Sequence, residues 1–168
     1  DCIGASKITM ILEISNWSLL KEALSEASFT KRVLENILEK HFFEYNFSSL
    51  GIIFVSEQYI RDINSQYRGV DSVTDVLSFG LGIKPFMGEV YICPQYIKNN
   101  IHPDYFKEEI IRDIVHGVLH ILGYDHKGEF SEKNIQDEMF VKQEDILHNI
   151  LDEINNRSGE SREKISKE

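Results

Sequence analysis

The sequence predicts an α/β fold, a small single-domain sandwich with a mixed sheet of about four strands and about five helices. Three observations lead to it. Short runs rich in β-branched residues alternate with longer stretches whose apolar residues recur at helical period. The links between them are short, as in a compact domain. A length of 168 residues, with 42% hydrophobic and 11% aromatic residues, suits one domain that buries a sizeable core.

Ile8–Ile14 (Ile-Thr-Met-Ile-Leu-Glu-Ile) reads as a strand closed by Ser15-Asn16. Trp17–Ala27 sets Leu19, Leu20, Ala23 and Leu24 at helical spacing, and Phe29–Phe42 repeats the pattern with Val33, Leu34, Ile37 and Leu38. Both are packing helices, and His41 falls near the end of the second, where a cation suits the dipole. Leu50–Val55 is a buried-strand run. Ser56 then caps a short helix through Gln66, with Glu57 in its first turn. Val73–Phe79 and Gly88–Cys93 are two further strands, joined by a hairpin-like loop containing Gly82 and Pro85. Pro94–Asn100 reads as a short helix. Asp104 is expected to cap a long helix through Leu122, and a last helix to run from Ser131 to about Ile154.

The domain is expected to occupy residues 10–154. Residues 1–9 lack a methionine while Met10 lies in the first strand, so they read as an added or misplaced start. Residues 155–168 are polar, contain Gly159 and lack apolar periodicity, which reads as a disordered tail. Cys2 and Cys93 cannot make a disulfide framework, and neither lies near the histidines discussed below, so a cysteine-rich zinc site is excluded. No apolar run approaches the roughly 20 residues of a membrane span, and no secretion signal is visible, so a cytoplasmic setting is expected. The net charge of −10 argues against non-specific coating of nucleic acid, yet leaves room for one local basic pocket. Arg61, Arg68, Lys84 and Lys98 are the candidates for such a strip.

The chemistry concentrates in His116-Gly117-Val118-Leu119-His120-Ile121-Leu122-Gly123-Tyr124-Asp125-His126, which holds three of the six histidines. His116 and His120 stand at i and i+4, so a helix points them the same way, one turn apart. They lie across the helix from the apolar face of Ile110, Ile111, Ile114, Val115, Val118 and Leu119, with Glu109 and Asp113 nearby, so they are not core histidines. Gly123 can supply the left-handed residue that ends the helix and lets the chain bring His126 back. Three converging imidazoles, with a water in the fourth position, make a catalytic zinc site. An accidental pair of histidines on a polar face explains neither the glycine turn nor the third histidine. The run is similar to the metal helix of zinc peptidases, His-Glu-x-x-His-x-x-Gly-x-x-His, but Gly117 stands where those enzymes carry the general-base glutamate. The site reads as hydrolytic and not peptidolytic.

A second stretch, Asn64 to Phe79, is by itself only a polar turn between a helix and a strand, with Asp75 and Ser78 as possible turn formers. Taken together, the two stretches resemble the YbeY family of metal-dependent endoribonucleases that act in ribosomal RNA maturation. The resemblance lies in Asn64, Tyr67, Arg68, Gly69 and Asp71, in Thr74-Asp75-Val76-Leu77-Ser78-Phe79, and in His116-Gly117, Leu119-His120 and Gly123-Tyr124-Asp125-His126. It extends from about Leu50 to Ile150. Gly80 departs from the proline common after Ser-Phe, and Glu89 from the aspartate often found after Gly88.

The resemblance implies one α/β domain, a zinc ion on His116, His120 and His126, and a functionally important Arg68. It also implies cleavage of single-stranded RNA in processing the 3′ end of small-subunit rRNA, a part in ribosome quality control, and ribosomal partners. Arg68 would pair through its planar fork with the scissile phosphate. Asp125 would orient an imidazole or accept a proton. Ser78 and Lys84 are further candidates for substrate contact. Two other classes stay open at this point, a zinc peptidase-like hydrolase and a non-catalytic assembly factor that keeps zinc for structure.

Overall fold

The computed structural model describes residues 9–24, 26, 28–124 and 138–165, with side chains described as far as Ser158. Four strands, β1 (Ile11–Ser15), β2 (Phe47–Phe54), β3 (Val76–Gly80) and β4 (Phe86–Ile92), form one sheet in the order β1-β2-β4-β3. β1 pairs parallel with β2 and β2 parallel with β4, whereas β3 pairs antiparallel with β4 as a hairpin. The sheet is therefore mixed, and β3 is one of its edges. Parallel neighbours need crossovers. Helices α1 (Trp17–Ala23) and α2 (Lys31–Phe42) connect β1 to β2, and α3 (Glu57–Arg68) begins the path from β2 towards β3 and β4. After β4 come α4 (Pro94–Asn100), α5 (Phe106–Ile121) and α6 (Glu138–Ile165).

Alternation along the strands sorts side chains onto two faces. One face carries the main core, in which Ile14, Leu50, Ile52, Val90 and Ile92 pack with α2, α5 and α6 through residues such as Leu34, Ile37, Ile114, Val118 and Leu147. Removing an Ile or Leu of this kind from water stabilises the fold by roughly 1.5–3 kcal/mol. The other face carries a smaller cluster, Val55, Ile60, Leu77 and Cys93, with Ile63, Phe79 and Tyr91 partly buried beside it. Ile60 and Ile63 bring α3 onto this face. Among the described residues nothing beyond α3 covers this face fully, and Ile11 on β1 and Met87 on β4 are exposed.

Several element ends differ from the sequence reading, each for a local reason. The third strand begins at Val76 and not Val73, because the Asp75 carboxylate accepts the Val76 N–H at 2.9 Å. β2 starts earlier, at Phe47, since Ser48 and Ser49 interrupt the apolar run without leaving the sheet. Asp104 does not cap the long helix. It lies in a 3-10 turn, Pro103–Tyr105, whose Asp104 N–H is accepted by His102 Nδ1 at 3.2 Å, and α5 begins at Phe106. The start expected at Ser131 for the last helix lies outside the described residues. α6 continues to Ile165 instead of ending near Ile154. Good helix formers such as Glu, Arg and Lys suffice there without an apolar stripe, helped by the i,i+4 pair Glu153–Arg157 at 3.4 Å.

Candidate active site

Helix α5 lies against β3 and β4, and Gly117 sets how closely. A Cβ added at Gly117 would stand 2.5 Å from Val90 Cγ1, so only glycine admits this approach of helix to sheet. The position where zinc peptidases carry a glutamate therefore points into the sheet, with no room for a side chain. The neighbouring His116 and His120 are half-buried. Their Nε2 atoms are 3.0 Å apart, and the rings meet edge-on at 79° with centroids 4.6 Å apart.

The buried Gln143 of α6 reaches His116 Nδ1 with its Oε1 at 2.8 Å. An amide oxygen can only accept, so Nδ1 donates and the neutral ring keeps its lone pair on Nε2, on the side of His120. Two imidazole nitrogens on one tetrahedral zinc at about 2.05 Å stand about 3.3 Å apart. The His116–His120 pair thus fits two positions of a zinc site. Among the described residues no third His, Cys, Asp or Glu completes such a group. The third expected ligand, His126, and Asp125 lie outside the described residues. The turn before them has the expected form. Gly123 takes φ +94°, its N–H donates to His120 O at 3.0 Å, and Tyr124 N–H donates to Leu119 O at 3.0 Å.

A cleft of about 580 Å³ runs along the edge strand, lined by all five residues of β3. His116 and His120 enter it from the helix on the core face, and Arg68 from α3 on the other face. The sequence separates Arg68 from His116 by 48 positions, and the edge strand between two helices unites them. Arg68 is the last residue of α3, which stops at Gly69 with φ +70° and a Gly69 N–H to Ser65 O bond of 3.1 Å. Behind it the buried Asn64 donates from Nδ2 to Ser72 O at 2.9 Å and ties down the loop that follows.

Of the other candidates, Ser78 lines the cleft, whereas the exposed Lys84 is not among its lining residues. Arg61 pairs twice with Asp71, at 2.8 and 3.1 Å, which raises the guanidinium pKa and lowers that of the carboxylate. Lys98 is exposed on α4. The supposed basic strip is not brought together; Arg68 is its one member in the cleft.

Two side chains near the histidines escaped the sequence reading. Asp113, assigned there to the polar face, is 5% exposed. Burial chiefly, then the charges of Asp75 and Glu109, push its carboxyl up to about 9, against a smaller opposing effect of Arg112. The raised value keeps the Asp113 carboxyl in its neutral form at neutral pH. Asp75 Oδ1 is held in turn by Val76 N–H and by the Thr74 hydroxyl at 3.1 Å. Gln143 is the second omission, since nothing in the local sequence marks a residue 27 positions away as a partner of His116.

Comparison with known proteins agrees with this geometry. The family model described as Endoribonuclease YbeY matches residues 14–151. The chain is 38% identical over 125 residues to Endoribonuclease YbeY of Thermotoga maritima, covering 73% of this chain and 79% of that one. It is likewise 38% identical over 147 residues to Endoribonuclease YbeY of Persephonella marina, covering 80% and 93%. The solution structure of TM1509 from Thermotoga maritima superposes with a TM-score of 0.53 at 32% identity, over 94% of this chain and 96% of that one. A chain with this edge-strand cleft, matched by the family model over most of its length, belongs to the YbeY family of endoribonucleases.

Proposed function

We propose that this protein is a metal-dependent endoribonuclease that cuts single-stranded RNA in maturation of the small-subunit rRNA 3′ end and in ribosome quality control, in the cytoplasm and in contact with the ribosome. The observation that carries the catalytic part is the meeting of two Nε2 atoms 3.0 Å apart with Arg68 in one cleft. His116, His120 and His126 would hold one Zn²⁺, with water in the fourth position. When bound, zinc supplies Lewis acidity and brings the pKa of a water to about 7.

The protein's own groups do the rest. Gln143 fixes the His116 tautomer and turns its Nε2 lone pair towards the site. Arg68 forks onto the scissile phosphate and offsets the charge that builds in the transition state. Ser78 binds beside it along the cleft wall. Asp125 orients an imidazole next to the third ligand. The division of labour needs no carboxylate at position 117, where the sheet leaves no space for one.

The test is cleavage of a single-stranded RNA bearing the small-subunit rRNA 3′ end by wild type, His120→Ala and Arg68→Ala, with zinc content measured for each. Loss of cleavage in both variants, with zinc kept only by Arg68→Ala, is the expected result. Absence of cleavage by zinc-loaded wild type, on naked RNA and on ribosomal particles alike, would overturn it in favour of a factor that acts by binding.

A further inference from the structure

Four aromatic rings form a continuous line that begins in the cleft and leaves it. Phe79 lines the cleft and meets Tyr67, the neighbour of Arg68, edge-on at 5.2 Å between centroids. Phe79 also meets Tyr91 of β4 at 5.8 Å, and Tyr91 stacks on Tyr59 at 6.2 Å with 21° between planes. Tyr59 and Tyr67 stand at the two ends of α3, while Phe79 and Tyr91 are on the sheet face that α3 packs against. The line therefore follows the seam between α3 and the sheet. Tyr91 is pinned there by its hydroxyl, which donates to Glu89.

The simpler account is that these rings shield the small cluster of Leu77, Ile60 and Cys93. That account serves Phe79 and Tyr91, which are partly buried. It does not serve Tyr59 and Tyr67, which are 49% and 63% exposed.

Charge then decides what the line is for. An endoribonuclease must hold a polyanion, yet this chain carries a net charge of −10. Among the described residues Arg68 is the one lysine or arginine that lines the cleft, and Arg61 is matched by Asp71. Phosphate contacts of the described residues therefore supply little affinity. Base stacking on aromatic rings is indifferent to net charge and to sequence, and holds single strands.

We propose that Tyr67, Phe79, Tyr91 and Tyr59 are a stacking track for the unpaired bases of the RNA substrate that flank the phosphate at Arg68. The inference rests on the RNA-cleaving reading of the cleft and names where the rest of the strand lies. Only a single strand can splay its bases onto such a track, so the rings also select against duplex.

The test compares wild type, Tyr59→Leu, Tyr59→Phe and Tyr67→Leu, using fluorescent single-stranded RNAs of increasing length read by anisotropy. In parallel, 5-iodouridine-substituted RNA is photocrosslinked to wild type and the adducts are mapped by mass spectrometry. Wild type should gain affinity as the RNA lengthens past the cleft. Tyr59→Leu should lose that gain by about tenfold, and Tyr59→Phe should keep it, because a phenyl ring stacks where an isobutyl group does not. Tyr67→Leu should weaken all lengths, and adducts should fall on Tyr59, Tyr67 or Tyr91. If wild type cleaves RNA but the leucine variants bind every length normally and adducts lie elsewhere, the track is wrong while the nuclease reading stands. If wild type neither binds nor cleaves any RNA, the nuclease reading fails and takes the track with it.

Discussion

Gln143 shows how one side chain on a separate helix can decide which nitrogen a histidine turns to the cleft. Its carbonyl oxygen holds the His116 Nδ1 proton, so the other nitrogen is the one offered to a metal. Gln143→Ala should lower zinc affinity by about 10–100-fold while leaving the fold intact, measured by competition with a chelator alongside circular dichroism. Unchanged affinity would remove Gln143 from the site. Asp113 makes a different prediction. Its carboxyl sits at about 9 in the folded protein against an ordinary 3.8, so between those values the folded state holds a proton that the unfolded state has released. This contribution to stability is complete at acid pH and is lost as pH rises towards about 9, with a slope of at most 1.4 kcal/mol per pH unit, on the order of one proton. Asp113→Asn cannot titrate, so the difference in stability between variant and wild type should shift in the variant's favour as pH rises from 5 to 8. Urea denaturation at a series of pH values measures it; parallel curves would refute the raised carboxyl of Asp113.

Among the elements, α5 owes its place to a residue with no side chain. Gly117→Ala should gain about 1 kcal/mol of helix propensity but lose about 1–3 kcal/mol to overpacking against Val90. The net expected effect is a lower melting temperature. Adding Val90→Ala should make the two substitutions cost less together than the sum of each alone, which a double-mutant cycle of thermal unfolding would detect. The helix itself was readable in the sequence because its apolar residues repeat at helical period, and Gly123 marked its end. The tightness of its contact was not readable, because a glycine carries no period and its partner Val90 is 27 positions away. The same limit explains Asp113. On a helical wheel it belongs beside the histidines, and only the packing of α5 against β3 and β4 makes it an interior residue.

At the scale of the whole molecule, an acidic protein that cuts RNA should bind it with weak dependence on salt. Each neutralised phosphate adds about −0.7 to the slope of log affinity against log salt. With Arg68 the one lysine or arginine lining the cleft among the described residues, that slope should be shallower than about −2, read by anisotropy across a salt series. A steep slope would reveal further cationic contacts. The sequence carried the fold class and the histidine pair because both rest on local spacing. It was silent on the cleft, because Arg68 and His116 come from helices on opposite faces and meet only across the edge of a sheet whose strand order no local pattern spells out. Lys84 had the right chemistry for an anion and the wrong address.

The five residues of β3 all line the cleft, and among the described residues β3 has a partner strand on one side only. An edge strand keeps half of its peptide groups turned away from its neighbour. Part of the cleft wall is thus written in main chain, where every amino acid spells the same word. Alanine scanning would pass over it without effect. Replacing single amides of Val76 to Gly80 by esters, which deletes a donor and leaves every side chain in place, would read it.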